Sequence, residues 1–230
     1  MLFRSLSADI VLIATGAQPR VLATAIPDGR RILTWKQLYD LEELPQHLIV
    51  VGSGVTGAEF ASAYHALGSE VTLVSSREHV LPGQDSDAAQ VIEEVFARRG
   101  ITVVSKARAE SVQAGSDGVR VQLADGRVIE GSHCLMAVGS LPNTSGLGLD
   151  AAGVETDERG FVQVDRVSRT SARGVYAAGD CTGVEMLASV AAMQGRIAMW
   201  HALGDAVTPL DLDTVARSEE HTSELQSRLH

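Results

Sequence analysis

A short apolar run, Leu48-Ile49-Val50-Val51, leads straight into Gly52-Ser53-Gly54-Val55-Thr56-Gly57. Beyond it Ala58, Phe60, Ala61, Tyr64, Ala66 and Leu67 recur at helical spacing. Few backbones accept three glycines at G-x-G-x-x-G spacing between a buried strand and a helix. In a βαβ unit Gly52 permits the tight turn, Gly54 leaves bare backbone for a diphosphate to approach, and Gly57 lets the helix pack close to the strand. The unpaired N–H groups at the helix start, and the helix dipole, then face the anion. Packing alone also produces glycine-rich turns, so the surroundings decide between the two readings. Here strand, loop and helix come in the required order, Gly68 closes the helix, and a second apolar strand, Val71-Thr72-Leu73-Val74, follows at the distance a βαβ unit requires.

The rest of the chain extends this unit. Thr34 to Leu44 is expected to form a short amphipathic helix leading through Pro45 into the first strand of the unit. After Leu81-Pro82-Gly83 a helix is expected from Ser86 to Arg99, with Val91, Ile92, Val95 and Phe96 on one face and Gly100 ending it. Strand Ile101 to Val104 follows. Val112, Val119 to Leu123 and Val128-Ile129 alternate with polar residues around Gly115-Ser116-Asp117-Gly118 and Asp125-Gly126, the pattern of an antiparallel meander. Leu135 to Val138 returns to the parallel sheet.

Flanking segments read as parts of another domain. Ala8 to Gly16 is an apolar strand ending in Ala-Thr-Gly; its pattern belongs in a buried parallel sheet, yet too little chain precedes it to build one, so a segment upstream is expected. On the far side come a strand Phe161 to Val164, a strand from Gly174 that ends at Asp180, and an Ala- and Met-rich helix from Leu187 to Leu203 stopped by Gly204. At a strand end Asp180 can accept hydrogen bonds from sugar-type hydroxyls; a turn or N-cap aspartate is the alternative. The fold class is therefore α/β, a Rossmann-like parallel sheet with a β-meander inserted into part of a second Rossmann-like domain. Residues 217–230 are polar and aperiodic, and resemble the conceptual translation of a sequencing-library adapter, so they are set apart as non-native.

Composition excludes several functions. Net charge is -10 at pH 7, which argues against a nucleic-acid partner or an anionic membrane surface, since either calls for a basic face. No apolar run is long enough to span a membrane. Cys134 and Cys181 lack C-x-x-C spacing, so the chain has no dithiol pair or zinc motif of its own, and a reduced, cytoplasmic setting fits. The histidines are scattered without metal spacing, so no metal is expected.

Four motifs in order, Ala14-Thr15-Gly16, GSGVTGAEFA from Gly52 to Ala61, AVGSLPNT from Ala137 to Thr144, and GVYAAGD from Gly174 to Asp180, resemble the pyridine nucleotide-disulfide oxidoreductases. That family of two-dinucleotide flavoproteins includes dihydrolipoyl dehydrogenase, glutathione reductase and quinone reductases. Within it the text is most similar to the lipoamide-dehydrogenase-like quinone-reducing branch, which lacks the redox disulfide. The resemblance implies residues 1–44 and 141–210 as two segments of an FAD domain, residues 45–140 as an inserted NAD(P)-binding domain, and residues 211–216 as the start of a dimerisation domain. It also implies hydride transfer from NAD(P)H to FAD and on to a small, quinone-type electron acceptor in a homodimeric parent. The FAD diphosphate motif and any redox cysteine pair would lie upstream of Met1. Dihydrolipoyl dehydrogenase, or a nucleotide-binding fragment without turnover, are the alternatives.

By the same resemblance FAD would meet Thr15, Gly16 and Asp180, with Met186, Leu187, Ala188 and Ser189 near the flavin at a helix N-terminus. NAD(P) would meet Gly52, Ser53, Gly54, Val55, Thr56, Gly57 and Gly139. Glu59 matches an acid beside the nicotinamide, with a first-turn carboxylate favoured by the dipole as the alternative. Ser140 stands where the family often has arginine. NAD-specific members carry an acid at the end of the second strand for the ribose 2′-hydroxyl, whereas this chain has Ser75, Ser76 and Arg77, two hydroxyls and a guanidinium suited to a 2′-phosphate. NADPH is therefore expected alongside NADH, unless Arg77 is only a solvated charge near Glu78. No catalytic residue is assigned.

Overall fold

The computed structural model describes residues 6–215, so the tail set apart above lies outside the described residues. In chain order the strands are β1 (Val11–Ile13), β2 (Ala17–Pro19), β3 (Ile32–Leu33), β4 (His47–Val51), β5 (Glu70–Val74), β6 (Thr102–Val104), β7 (Ala109–Ala114), β8 (Val119–Leu123), β9 (Val128–Gly131), β10 (His133–Met136), β11 (Ser140–Pro142) and β12 (Val175–Ala177). The helices are α1 (Trp35–Leu38), α2 (Val55–Leu67), α3 (Ser86–Arg99) and α4 (Ala188–Ala202). The described chain divides into two units, residues 19–140 and residues 6–18 with 141–215. A boundary near residue 44 was the expectation; it falls at Gln18 instead, because β3 pairs with β10 and Leu38 of α1 is buried in the core of the first of these units.

That unit is built on a five-stranded parallel sheet in the order β3-β10-β4-β5-β6. Successive side chains of β4 show why its sequence is apolar without a break. Leu48 and Val50 join Leu73, Leu135, Ala58, Ala61 and Phe96 under the helices. Ile49 and Val51 face the other way, toward Val112, Val121 and Leu123 of the antiparallel meander β7-β8-β9. A sheet covered by helices on one face and by a second sheet on the other has no polar face to show.

Helix lengths depart from expectation in one place. α1 stops after Leu38, a single turn held by the Thr34 and Gln37 capping box, rather than running to Leu44. Pro45 biases Leu44 away from helical backbone, and Leu41 leaves the helical path to pack against the core. α3 runs from Ser86 to Arg99 as expected, with Asp85 capping its start and Gly100 in left-handed conformation at its end. Its buried face is set by Ala89, Ile92 and Phe96, so Val91 points outward and is 57% exposed.

In the other unit β1 and β12 form a short parallel ladder, Val11 opposite Val175 and Ile13 opposite Ala177. Ile13, Val154, Val162, Ala177 and Cys181 make a small core. The strand expected from Phe161 to Val164 reduces to one bridge between Thr156 and Val162. There the Val162 N–H donates to the Cys181 carbonyl and the Phe161 N–H to the Asp157 side chain, so these apolar residues are buried by loop packing rather than by a ladder. No helix among the described residues is long and apolar enough to cross a membrane.

The corrected face of α3 makes a direct prediction. Phe96→Ala should lower stability by about 3–5 kcal/mol, and Val91→Ala should change it by no more than about 0.5 kcal/mol, measured by denaturant unfolding.

Candidate functional site

Three strand ends meet around the glycine loop at the C-terminal edge of the five-stranded sheet. The Gly52 N–H donates to the Val74 carbonyl at the end of β5, and the Ala137 N–H to the Val51 carbonyl at the end of β4. Gly52 has φ 112, and a Cβ there would collide with the Ala137 carbonyl oxygen. Gly57 is as tightly constrained, since its Cβ would run into the Gly52 carbonyl oxygen. Gly54 differs: a Cβ would meet nothing within 4 Å, so its backbone opens onto free space. The loop therefore combines two glycines fixed by packing with one that leaves a cradle.

Gly54 is also the N-cap of α2, and no side chain caps it. The first intrahelical bond runs from the Ala58 N–H to the Gly54 carbonyl, so the N–H groups of Val55, Thr56 and Gly57 have no partner within the helix. Val55 and Thr56 are exposed. Gly139, just beyond β10, has φ 99 and also opens onto free space. β4 lies between β10 on one side and β5 on the other, the switch point where parallel sheets bind ligands beyond their strand ends. Glu59 is exposed in the second turn of α2, which has no acid in its first turn, so the reading of Glu59 as a first-turn dipole partner does not hold.

The end of β5 requires a correction. Ser75, expected to offer its hydroxyl to a phosphate, is fully buried. Its Oγ lies 2.7 Å from that of Ser53, donates to the Arg77 carbonyl at 3.2 Å and accepts the Arg77 N–H at 3.1 Å. A hydroxyl has one proton and two lone pairs, so this one is fully engaged within the protein. Ser76 and Arg77 are exposed, and the Arg77 guanidinium makes no hydrogen bond or ion pair among the described residues. Glu78 pairs with Lys106 at 2.6 Å rather than with Arg77, and that ammonium holds its carboxyl below the usual carboxylate range.

The second unit has its own edge. Thr15 and Gly16 follow β1, where their carbonyls accept from the Asn143 side chain and backbone at 3.0 and 2.9 Å, and a Cβ on Gly16 would meet open space. Asp180 lies three residues past β12 and begins a 3₁₀ turn, Asp180–Thr182; its carboxylate makes no hydrogen bond or ion pair among the described residues. The preceding Gly179, φ 78, packs on Ala191 in the first turn of α4. α4 begins after Leu187 with no side-chain cap, and Ala188, Ser189 and Met186 are exposed beside it. The uncapped donors of α4 and the Asp180 turn are thus neighbours.

The motifs and their geometry agree with the comparison that decides the family, a match of the pyridine nucleotide-disulphide oxidoreductase model to residues 3–195. The chain belongs to the pyridine nucleotide-disulphide oxidoreductases. This family pairs FAD with a pyridine nucleotide. Over 209 residues the chain is 63% identical to an NAD(P)H dehydrogenase (quinone) of Mycobacterium tuberculosis, covering 91% of this chain and 42% of that protein. It is 39% identical to a dihydrolipoyl dehydrogenase of Chlorobaculum parvum, covering 93% of this chain and 46% of that one. Among solved structures, LpdA of M. tuberculosis superposes with a TM-score of 0.86 at 63% identity, covering 91% of this chain and 46% of the other. The flavoprotein disulfide reductase RclA of Escherichia coli, as its Cu(II) complex, gives 0.79 at 30%, covering 87% and 46%. The chain therefore spans less than half the length of each of these relatives.

Two features of this family member escaped the sequence reading. One is the Ser53–Ser75 hydroxyl pair. The other is Gln194, 1% exposed, which accepts the Gly179 N–H at 2.8 Å and donates to Thr182 at 3.4 Å, while Thr182 donates to the Gly179 carbonyl at 2.8 Å. A lone amide on the buried face of an Ala- and Met-rich helix was the available signal. Both cysteines are buried and unpaired, and burial pushes the Cys134 thiol far up. Gln194→Leu should leave the Gly179 N–H unpaired and cost about 1–3 kcal/mol in thermal or denaturant unfolding.

Proposed function

We propose that the chain binds NAD(P)H at the Gly52–Gly57 loop and FAD at the edge beyond β1 and β12, as the nucleotide-handling part of a flavoprotein that reduces a quinone-type acceptor. The observation that carries this reading is the open cradle at Gly54 in front of the uncapped N-terminus of α2. Those amides and the dipole would hold the nicotinamide nucleotide's diphosphate, Gly139 would leave room beside it, and Arg77 with Ser76 would take a 2′-phosphate. In the other unit the α4 amides would stabilise anionic flavin, and Asp180 would accept from sugar hydroxyls. FAD, once bound, supplies the capacity to accept hydride from NAD(P)H and to pass electrons onward.

Electron delivery to the acceptor and homodimeric assembly belong to the whole protein. Quinone reduction is favoured over dihydrolipoyl chemistry by the higher identity to the quinone-type relative. The chain's partial span also supports a second reading, that by itself it binds nucleotide without turnover. Stopped-flow mixing of the FAD-supplemented chain with NADPH tests this second reading, which bleaching of the flavin would overturn.

Two substitutions test the nucleotide site by calorimetric titration. Gly54→Val should weaken NADPH binding at least about tenfold, the equivalent of 1.4 kcal/mol or more, with the protein still folded and its melting temperature lowered only by the poorer helix cap. Arg77→Glu should weaken NADPH by about as much and leave NADH within about twofold; unchanged NADPH affinity would remove Arg77 from the site.

A further inference from the structure

The loop that carries Arg77 is held in place by more than its own sequence. The Arg77 carbonyl accepts the Ser75 hydroxyl and also the Lys106 N–H at 2.9 Å, while the Arg77 N–H donates back to Ser75. Ser75 in turn is flanked by backbone bonds, its N–H to the Val104 carbonyl and its carbonyl from the Ala107 N–H. Across the sheet edge, Ser53 in the glycine loop has its hydroxyl against Ser75 and its carbonyl accepting the Leu81 N–H at 2.7 Å. The two residues that donate these outer bonds, Leu81 at φ 55 and Lys106 at φ 54, are non-glycine residues in left-handed backbone. Such conformations persist only where surrounding contacts enforce them, and here both serve the same pair of loops.

Either hydroxyl can supply the proton between Ser53 and Ser75; the arrangement that gives both hydroxyls an acceptor has Ser75 donating to the Arg77 carbonyl and Ser53 donating to Ser75. The chain of bonds then runs in one direction, from the glycine loop through Ser53 and Ser75 to the backbone of Arg77. Removing the Ser75 hydroxyl deprives the buried Ser53 hydroxyl of its partner and Arg77 of two bonds, whereas removing the Ser53 hydroxyl leaves Ser75 its bonds to Arg77 but unties that turn from the glycine loop.

We propose that Ser53 and Ser75 are positioning residues that couple the diphosphate loop to the 2′-phosphate end, so that the buried hydroxyl pair, and not direct contact with nucleotide, determines how strongly Arg77 discriminates NADPH from NADH. This inference rests on the nucleotide-site reading above. It assigns Ser75 a different task from that expected of a strand-end serine: it orients the ligand without touching it.

The test uses the full chain and calorimetric titration with NADPH and with NADH. Ser75→Ala and Ser53→Ala should each raise the Kd for NADPH about five- to tenfold and that for NADH less than twofold, so the discrimination ratio collapses. Because both act through one bond, the double variant should match the singles rather than multiply them. A role confined to stability would lower the melting temperature and leave the ratio intact, which overturns the proposal, as does an equal loss for both nucleotides. If Ser75→Ala fails to fold, Ser53→Ala, which keeps the strand-end serine, reads the same ratio. If Gly54→Val leaves nucleotide binding unchanged, the site reading itself fails and the coupling falls with it. If Gly54→Val abolishes binding while the serine variants keep the ratio, only the coupling is lost.

Discussion

Burial of β4 on both faces is the constraint from which the rest of the larger unit follows. Leu48 and Val50 need helices above them, and Ile49 and Val51 need the meander below. A strand covered on both sides pairs most readily with parallel neighbours whose crossovers supply those covers. Parallel strands then end at one edge, which brings the Gly52 turn, the Ser75–Arg77 turn and the Ala137–Gly139 segment together. Packing thus places the polar edge, although none of its contacts is itself polar.

The division of labour among the three glycines follows the same logic. Two are demanded by backbone crowding from within, at Gly52 and Gly57, and one faces outward at Gly54. A sequence pattern alone does not distinguish these duties, because all three read as the same letter. The neighbours that exclude a side chain at Gly52 come from Ala137, far along the chain and across a strand pairing.

What was legible in the sequence was whatever a local pattern determines. The apolar run at β4, the Gly100 stop of α3, and the alternation through β7 to β9 each announce their element within a dozen residues. What was illegible depended on distant partners. Residues 19–44 look like a tail of the preceding strand until β3 is seen against β10. Phe161 and Val162 look like a strand because burial in a loop and burial in a sheet select the same side chains. Ser75 stands where an exposed strand-end residue is anticipated, and only the hydroxyl of Ser53, twenty-two positions away, shows that it is turned inward. Gln194 was passed over because a single amide does not disturb an apolar helical pattern.

The two cysteines offer an internal gauge that the chain carries by accident of composition. Cys134 is sealed inside the unit built on the five-stranded sheet and Cys181 inside the other, each fully shielded and without a disulfide partner. A thiol reagent can reach either one only when its surroundings open, so labelling kinetics resolved by peptide would time the breathing of the two halves separately. Whether nucleotide tightens one half and flavin the other could then be followed without introducing a probe.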